Sequence, residues 1–258
     1  VAVEIDLSEQ IVLVTGGVRG VGAGISRAFL AAGATVLTCA RRPADEPITV
    51  GDRGTEHLTC DVRDVDAVPA MFAEIVARHG RIDHVVNNAG GAPYSMADAT
   101  TPKFHAKIVE LNLLAPLLIS QQANALMQKQ DEGGSIVMIT SVSGHRPSPG
   151  TAAYGAAKAG LDSLVTSLAI EWAPKVRLNS VVVGPVKTEL SHLHYGDADG
   201  VAAVARTVPL GRLAAPADVG NAALFLASPL AAHISGAALV VHGGGERPAF
   251  LDAANADN

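Results

Sequence analysis

From Gln10 to Ala40 the chain runs as an apolar stretch, a glycine-punctuated turn, an amphipathic stretch and a second apolar stretch. The first, QIVLVT (10–15), is long enough for one buried strand. It passes into Thr15-Gly16-Gly17-Val18-Arg19-Gly20-Val21-Gly22. Apolar residues at helical spacing then extend from Ala23 to Ala32, where Gly33 stops them, and Ala34–Ala40 reads as a second strand. Strand, turn, helix and strand in that order make a βαβ unit. The glycines let the backbone approach a pyrophosphate, and the helix N-terminus meets it with free N–H groups and the positive end of its dipole. The competing reading is a plain tight turn, but the flanking strand and helix favour a nucleotide cradle formed by Gly16, Arg19, Gly20, Val21 and Gly22.

Composition agrees with a parallel sheet. Hydrophobic residues make up 48% of the 258 residues and aromatics only 3%, so Ala, Val, Leu and Ile must fill the core, as they do in a sheet covered on both faces. The length suits one large domain, taken as 1–258. Within it, 1–95 would mainly bind cofactor, 96–245 would carry catalysis and substrate with a lid at about 189–213, and 246–258 would form a tail. A net charge of −6 argues against nonspecific nucleic-acid binding. No apolar run approaches a membrane span, and VAVEIDLSEQ lacks a basic leader segment, so a cytoplasmic protein is expected. Cys39 and Cys60 each end an apolar run and read as reduced, buried thiols, with a disulfide as the lesser alternative.

After the second strand, where a carboxylate would accept from a ribose 2′-hydroxyl, the chain has Arg41-Arg42. Guanidinium groups suit a 2′-phosphate, which points to NADP(H) over NAD(H); the alternative is a pair of solvated loop charges. His57–Cys60 reads as a third strand leading to Asp61-Val62. Asp61 is placed to accept from an adenine amino group or to cap the next helix, expected over Val65–His79. A fourth strand, His84-Val85-Val86, ends in Asn87-Asn88-Ala89-Gly90, small and amide residues that suit a cofactor wall. Thr101-Pro102 should start a long helix running to about Lys129. Pro116 inside it has no N–H for the carbonyl of Asn112, which predicts a kink there.

Ile136–Ile139 is a fifth strand delivering Ser141. A loop containing Ser143 and His145, the latter read as a substrate-loop or solvent-facing histidine rather than a base, is stiffened by Pro147 and Pro149 and leads to a helix with Tyr154 and Lys158 four residues apart on one face. An ammonium beside a phenol favours the phenolate, and a nearby hydroxyl can hold a carbonyl oxygen, so Ser141, Tyr154 and Lys158 suit general acid catalysis on a ketone. Tyr-x-x-x-Lys alone also fits a packed tyrosine with a solvated lysine. Val176–Val183 is a sixth strand, followed by Gly184-Pro185-Val186-Lys187-Thr188, where Thr188 is a candidate for a cofactor amide. Glu189–Leu213 is polar and reads as a lid; His192, His194 and Asp197 fit no standard metal spacing, so no metal is expected. Pro216–Ala227 reads as an amphipathic helix and Ala237–Val241 as a last strand. The tail starts with the apolar Pro248, Phe250 and Leu251, suited to docking on a neighbouring subunit.

Assembled, Thr15-Gly16 with Gly20 and Gly22, Asp61, Asn87-Asn88-Ala89-Gly90, Asn112, Ser141 and Tyr154 with Lys158 resemble the short-chain dehydrogenase/reductase family along almost the whole chain. The resemblance implies an α/β fold: a single doubly wound Rossmann-type domain with a seven-stranded parallel sheet, assembled as a homotetramer or a dimer. It implies that Tyr154 is the general acid/base, that Lys158 lowers its pKa and binds the nicotinamide ribose, and that Ser141 orients the carbonyl. Asn112 would hold a relay water through its main-chain carbonyl. Asp61, Val62, Asn88, Ala89, Gly90, Val186 and Thr188 would contact the cofactor; Ser143, His145 and Pro185 would join Ser141 and Tyr154 around the substrate. Two departures stand out: Val183-Gly184-Pro185 moves the usual proline one place on, and His242 stands where the family often has Asp. The expected reaction is hydride transfer between NADP(H) and a secondary alcohol or ketone. Gly91-Ala92-Pro93, Leu190 and Leu193 suggest a bulky, largely apolar or acyl substrate. A dehydratase or epimerase on the same fold, or a non-catalytic nucleotide sensor, is the alternative; the complete Asn, Ser, Tyr, Lys set argues against both.

Overall fold

The structure is a computed structural model and describes residues 4–253. Nine strands occur among these residues: β1 Ile11–Thr15, β2 Thr35–Ala40, β3 Thr49–Val50, β4 Arg53–Gly54, β5 Glu56–Thr59, β6 His84–Asn87, β7 Gly134–Ser141, β8 Val176–Val183 and β9 Ala238–Val241. Seven form one sheet in the order β5-β2-β1-β6-β7-β8-β9, every pair parallel. β3 and β4 form a small antiparallel hairpin that the sequence reading did not anticipate. The chain moves outward from β1 through β2 to β5, then returns to place β6 on the other side of β1. That reversal opens a crevice at the carboxyl ends of β1 and β6, where doubly wound sheets bind ligands.

The helices are α1 Gly20–Ala31, α2 Ala67–His79, α3 Pro102–Val109, α4 Ala115–Met127, α5 Ala152–Glu171, α6 His192–Tyr195, α7 Ala198–Thr207, α8 Pro216–Ala227 and α9 Ala249–Ala253. Alternation along β1 explains why both sheet faces are apolar. Ile11 and Leu13 join the core shared with α2, α4 and α5, whereas Val12 and Val14 join the core shared with α1 and α8. Cys39 and Cys60 are buried and unbonded to each other. No helix among the described residues is long and apolar enough to cross a membrane.

Three of the departures from expectation have clear local reasons. α2 starts at Ala67 rather than Val65 because Asp64, not Asp61, accepts from the N–H groups of Asp66 and Ala67; Val65 is exposed. The long helix expected from Thr101 does begin there, with Thr101 Oγ1 accepting from Phe104 N–H at 3.3 Å. It is not merely kinked: a π turn over Glu110–Leu114 separates α3 from α4, and the Ala115 N–H reaches back to the Glu110 carbonyl. The polar segment Glu189–Leu213 contains α6 and α7; Asp197 caps α7 by accepting from Gly200 N–H at 3.0 Å. In the tail, Phe250 is exposed; the Leu251 side chain and residues 254–258 lie outside the described residues.

At the opposite end of the sheet from the crevice, His84 is buried between Ser135 Oγ, 2.7 Å from its Nδ1, and Gln10 Oε1 at its Nε2. Burial, reinforced by Arg177 and Arg81, pushes its pKa down from 6.5 to about 3. The native imidazole therefore stays neutral where the unfolded chain already takes up a proton. Stability from this group is complete above 6.5 and is lost as the pH falls toward 3. Within that window urea denaturation of the native chain should lose about 1.4 kcal/mol per pH unit from this site, and His84→Gln should flatten the slope. An unchanged slope in the variant would assign the acid lability to other groups.

Candidate active site

The crevice is a cleft of about 610 Å³ that runs from β2 and β5 at one end to α5 and the segment Thr188–His194 at the other. Its first wall is the glycine turn. A Cβ on Gly22 would lie 2.1 Å from the Gly16 carbonyl oxygen and 2.6 Å from Asn88 Nδ2, so only glycine lets α1 start this close to β1 and β6. α1 begins without a side-chain cap or an acidic residue in its first turn. Its N–H groups are thus left for an outside acceptor, and Arg19, Gly20 and Val21 line the cleft beside them.

The turn is held by a latch that sequence reading missed. Thr15 Oγ1 accepts from the N–H groups of Asn88 and Ala89 at 2.9 and 3.0 Å. Asn88 Nδ2 in return donates to the Thr15 and Gly16 carbonyls at 2.9 and 3.2 Å. Asn88 lines the cleft with Ala89 and Gly90, but its amide hydrogens are committed to the loop.

At the β2/β5 end, Arg41, Asp61 and Val62 line the cleft. Asp61 neither caps α2 nor stands free. Arg63, also in the lining, holds its carboxylate with Nε at 3.0 Å and Nη2 at 2.6 Å, and keeps its pKa below the usual carboxylate range. Arg19 and Arg41 make no hydrogen bond or ion pair among the described residues. Arg42 is exposed and stands outside the lining.

At the other end, β7 delivers Ser141 and α5 delivers Tyr154 and Lys158 to one corner. Ser141 Oγ accepts from Ser143 N–H at 3.2 Å. Lys158 Nζ donates to the Ile139 carbonyl at 2.8 Å and lies 5.7 Å from the centroid of the Tyr154 ring. This alters the simple expectation for the phenol. Burial raises the Tyr154 pKa, a hydrogen bond with Ser141 works the other way, and the ammonium, bonded to the β7 carbonyl, is not among the causes of the shift. Burial also draws Lys158 down to about 8. The side chain thus reaches the cleft as a protonated phenol, the form that donates to a carbonyl oxygen.

Asn112 lies behind this corner, outside the lining, in the π turn. Its Oδ1 accepts from Gly91 N–H at 2.8 Å, and its Nδ2 donates to the Gly91 and Ile108 carbonyls at 3.0 and 2.9 Å. A Cβ on Gly90 would meet Asn112 Oδ1 at 2.6 Å and Lys158 Nζ at 3.4 Å, so Gly90 allows the three to converge. The Asn112 side chain fixes the backbone after β6, while its carbonyl faces no N–H at Pro116.

The substrate side departs most from expectation. Ser143, His145 and Pro185 do not line the cleft. The turn over Val142–Gly144 carries Ser143 past Ser141, and His145 is bound on the surface by Asp162 Oδ2, 2.9 Å from its Nε2. The Pro185 carbonyl accepts from Ala214 N–H at 3.0 Å. The displaced proline leaves β8 intact to Val183, with Gly184 N–H bonded to the Val241 carbonyl at 2.9 Å. Val186 and Thr188 do line the cleft, and Thr188 N–H donates to Ser191 Oγ at 2.8 Å. Of the two leucines expected at the substrate, Leu190 lines the cleft and Leu193 is 64% exposed. Glu189 and His194 take part instead, a polar contribution that the aperiodic sequence around them concealed.

A family profile described as enoyl-(acyl carrier protein) reductase matches residues 16–246. The human dehydrogenase/reductase SDR family member 4 is 32% identical over 246 residues, covering 92% of this chain and 88% of its own. D-threitol dehydrogenase of Mycolicibacterium smegmatis is 34% identical over 244 residues, 92% of this chain and 93% of the relative. Among solved structures, the ligand-free aldohexose dehydrogenase of Thermoplasma acidophilum superposes with a TM-score of 0.86 at 29% identity, covering 94% of this chain and 96% of that one. Likeness of this extent, carried by both sequence and fold, shows that the chain belongs to the short-chain dehydrogenase/reductase family.

Proposed function

We propose that this oxidoreductase transfers a hydride between NADP(H) and a secondary alcohol or ketone bearing further hydroxyl groups. The observation that carries the reaction is the convergence of Ser141, Tyr154 and Lys158 at one end of a cleft whose other end is an uncapped helix N-terminus. The uncapped N–H groups and the close approach at Gly22 fit a dinucleotide. Such a cofactor, when bound, supplies or takes up the hydride. Tyr154 gives its proton to the substrate oxygen in reduction and takes it back in oxidation. Ser141 donates a hydrogen bond to the same oxygen and sets its distance from the phenol. Lys158 places a positive charge beside the corner where phenolate character develops, and Asn112 keeps the Gly91 backbone in position behind it.

Arg19 and Arg41, which line the cleft and make no hydrogen bond or ion pair among the described residues, support NADP(H) over NAD(H). The apolar or acyl substrate suggested by sequence now rests on Leu190, since Leu193 faces solvent. Glu189 and His194 in the lining favour a hydroxyl-rich substrate, as do the names of the threitol and aldohexose dehydrogenases. Exposed Ile170 on α5 and Val240 on the edge strand β9 are compatible with a homotetramer or dimer. Initial rates on polyols, aldoses and long-chain secondary alcohols, each with NADP⁺ and NAD⁺, test the substrate reading. The highest kcat/KM is expected for a polyol or sugar with NADP⁺; a clear preference for the long-chain alcohols would restore the apolar reading.

A further inference from the structure

Tyr154, Lys158 and Asp162 stand four residues apart along one face of α5. The middle member is the problem. Lys158 is 3% exposed, and the hydrogen bond its Nζ makes goes to a neutral acceptor, the Ile139 carbonyl. A buried ammonium with only a neutral partner loses its charge readily. One turn further along, Asp162 has a carboxylate whose two oxygens differ. Oδ2 is 2.9 Å from His145 Nε2, at the surface, whereas Oδ1 is buried and has no hydrogen-bond partner among the described residues. A buried carboxylate oxygen without a donor is costly unless it answers a nearby charge.

We propose that Asp162 is a positioning residue for Lys158: its carboxylate is the countercharge that keeps the buried ammonium charged, and His145 closes its solvent side. The proposal depends on the dehydrogenase reading only for its effect on turnover.

Burial brings Lys158 down to about 8, and Asp162 is the charge that opposes the fall. The surroundings offer no substitute. The elements packed on α5 are the turn over Val142–Gly144, β7, β8, α3 and the π turn. Their charged or titratable side chains are Lys103, His105 and Lys107 on α3, Glu110 in the π turn and Arg177 on β8. Among the described residues none of these makes a hydrogen bond or ion pair with Asp162 or Lys158. Arg177 is spent on the carbonyls that end α8. Tyr154 lies on the same face, and Tyr195 from α6 acts on Tyr154 rather than on Lys158. Lys158 therefore has a single countercharge, one helical turn away on the same rigid element.

The test is a titration of Lys158 in the full chain without cofactor, by NMR of protein labelled with ¹³C at the lysine ε-carbon. Comparison with Lys158→Met assigns the signal. Asp162→Asn should lower the Lys158 midpoint by about one pH unit, and Asp162→Glu should restore most of it. Asp162→Ser gives the same reading should the amide disturb folding. A midpoint that does not move in either Asp162→Asn or Asp162→Ser overturns the proposal. In turnover, the alkaline limb of the pH–rate profile should move to lower pH in the same variants. A shifted titration with an unshifted limb would uphold the pairing and count against the assigned part of Lys158 in catalysis.

Discussion

Replacing Tyr154 with Phe is expected to lower turnover about a thousandfold while leaving cofactor affinity within a factor of about two, the loss typical of removing a positioned general acid. The substitution deletes one oxygen and keeps the ring. The Lys158 hydrogen bond to the Ile139 carbonyl does not involve the phenol, and the glycine turn and its Thr15–Asn88 latch lie elsewhere in the cleft. Cofactor titration by fluorescence, set beside steady-state rates, separates the two quantities. A variant that turns over near the wild-type rate would end the case for Tyr154 as the proton donor. Loss of cofactor binding together with loss of rate would show that the hydroxyl holds the cofactor, not only the substrate oxygen.

Arg41→Ala should weaken NADP(H) binding about ten- to a hundredfold and leave NAD(H) nearly unaffected, the range expected for one charge-assisted hydrogen bond to a phosphate. Arg41 lines the cleft at the β2/β5 end and is exposed, so salt should reduce the difference. Arg42→Ala is the internal comparison, since Arg42 stands outside the lining and should change neither affinity much. Equal losses for the two cofactors in Arg41→Ala would mean that the guanidinium meets a group they share, and the preference would then have to come from Arg19 or Arg63.

Where backbone chemistry dictates the outcome, the sequence was readable. β8 and α8 fall on the residues expected, because an apolar run bounded by Pro174 and Gly184, and a helix opening on Pro216, have few competing conformations. That Ser141 ends a strand and that Tyr154 and Lys158 share a helix face was legible from the strand and helix periods, whereas the roles of the three came from the resemblance. The π turn was only half legible: Pro116 announces a missing N–H, but not that the chain answers with a wider turn. Side-chain partners made across the fold were the least legible. Asn88 bonds residues more than seventy positions away, and nothing in its neighbours says so. His145 was open between a substrate-loop and a solvent-facing side chain, and what decides it, Asp162 holding it at the surface, lies seventeen residues on. The helices within residues 189–213 were not legible, because α6 and α7 are short and the cap of α7, Asp197, sits in a run of polar residues that also suits a loop.

The π turn at Glu110–Leu114 also sets a helical phase. It holds about one residue more per turn than the helices beside it, so α3 and α4 are offset by roughly 100° about their common axis. The side of α3 that meets α5 is not the continuation of the side of α4 that covers β6 and β7. Substitutions on α3 can therefore reshape the wall against α5 while the spacing that seats Ile119, Ala123 and Met127 in the core stays fixed. Asn112 sits at the joint between the two phases, where a change of helix register on either side would carry it off the Gly91 backbone.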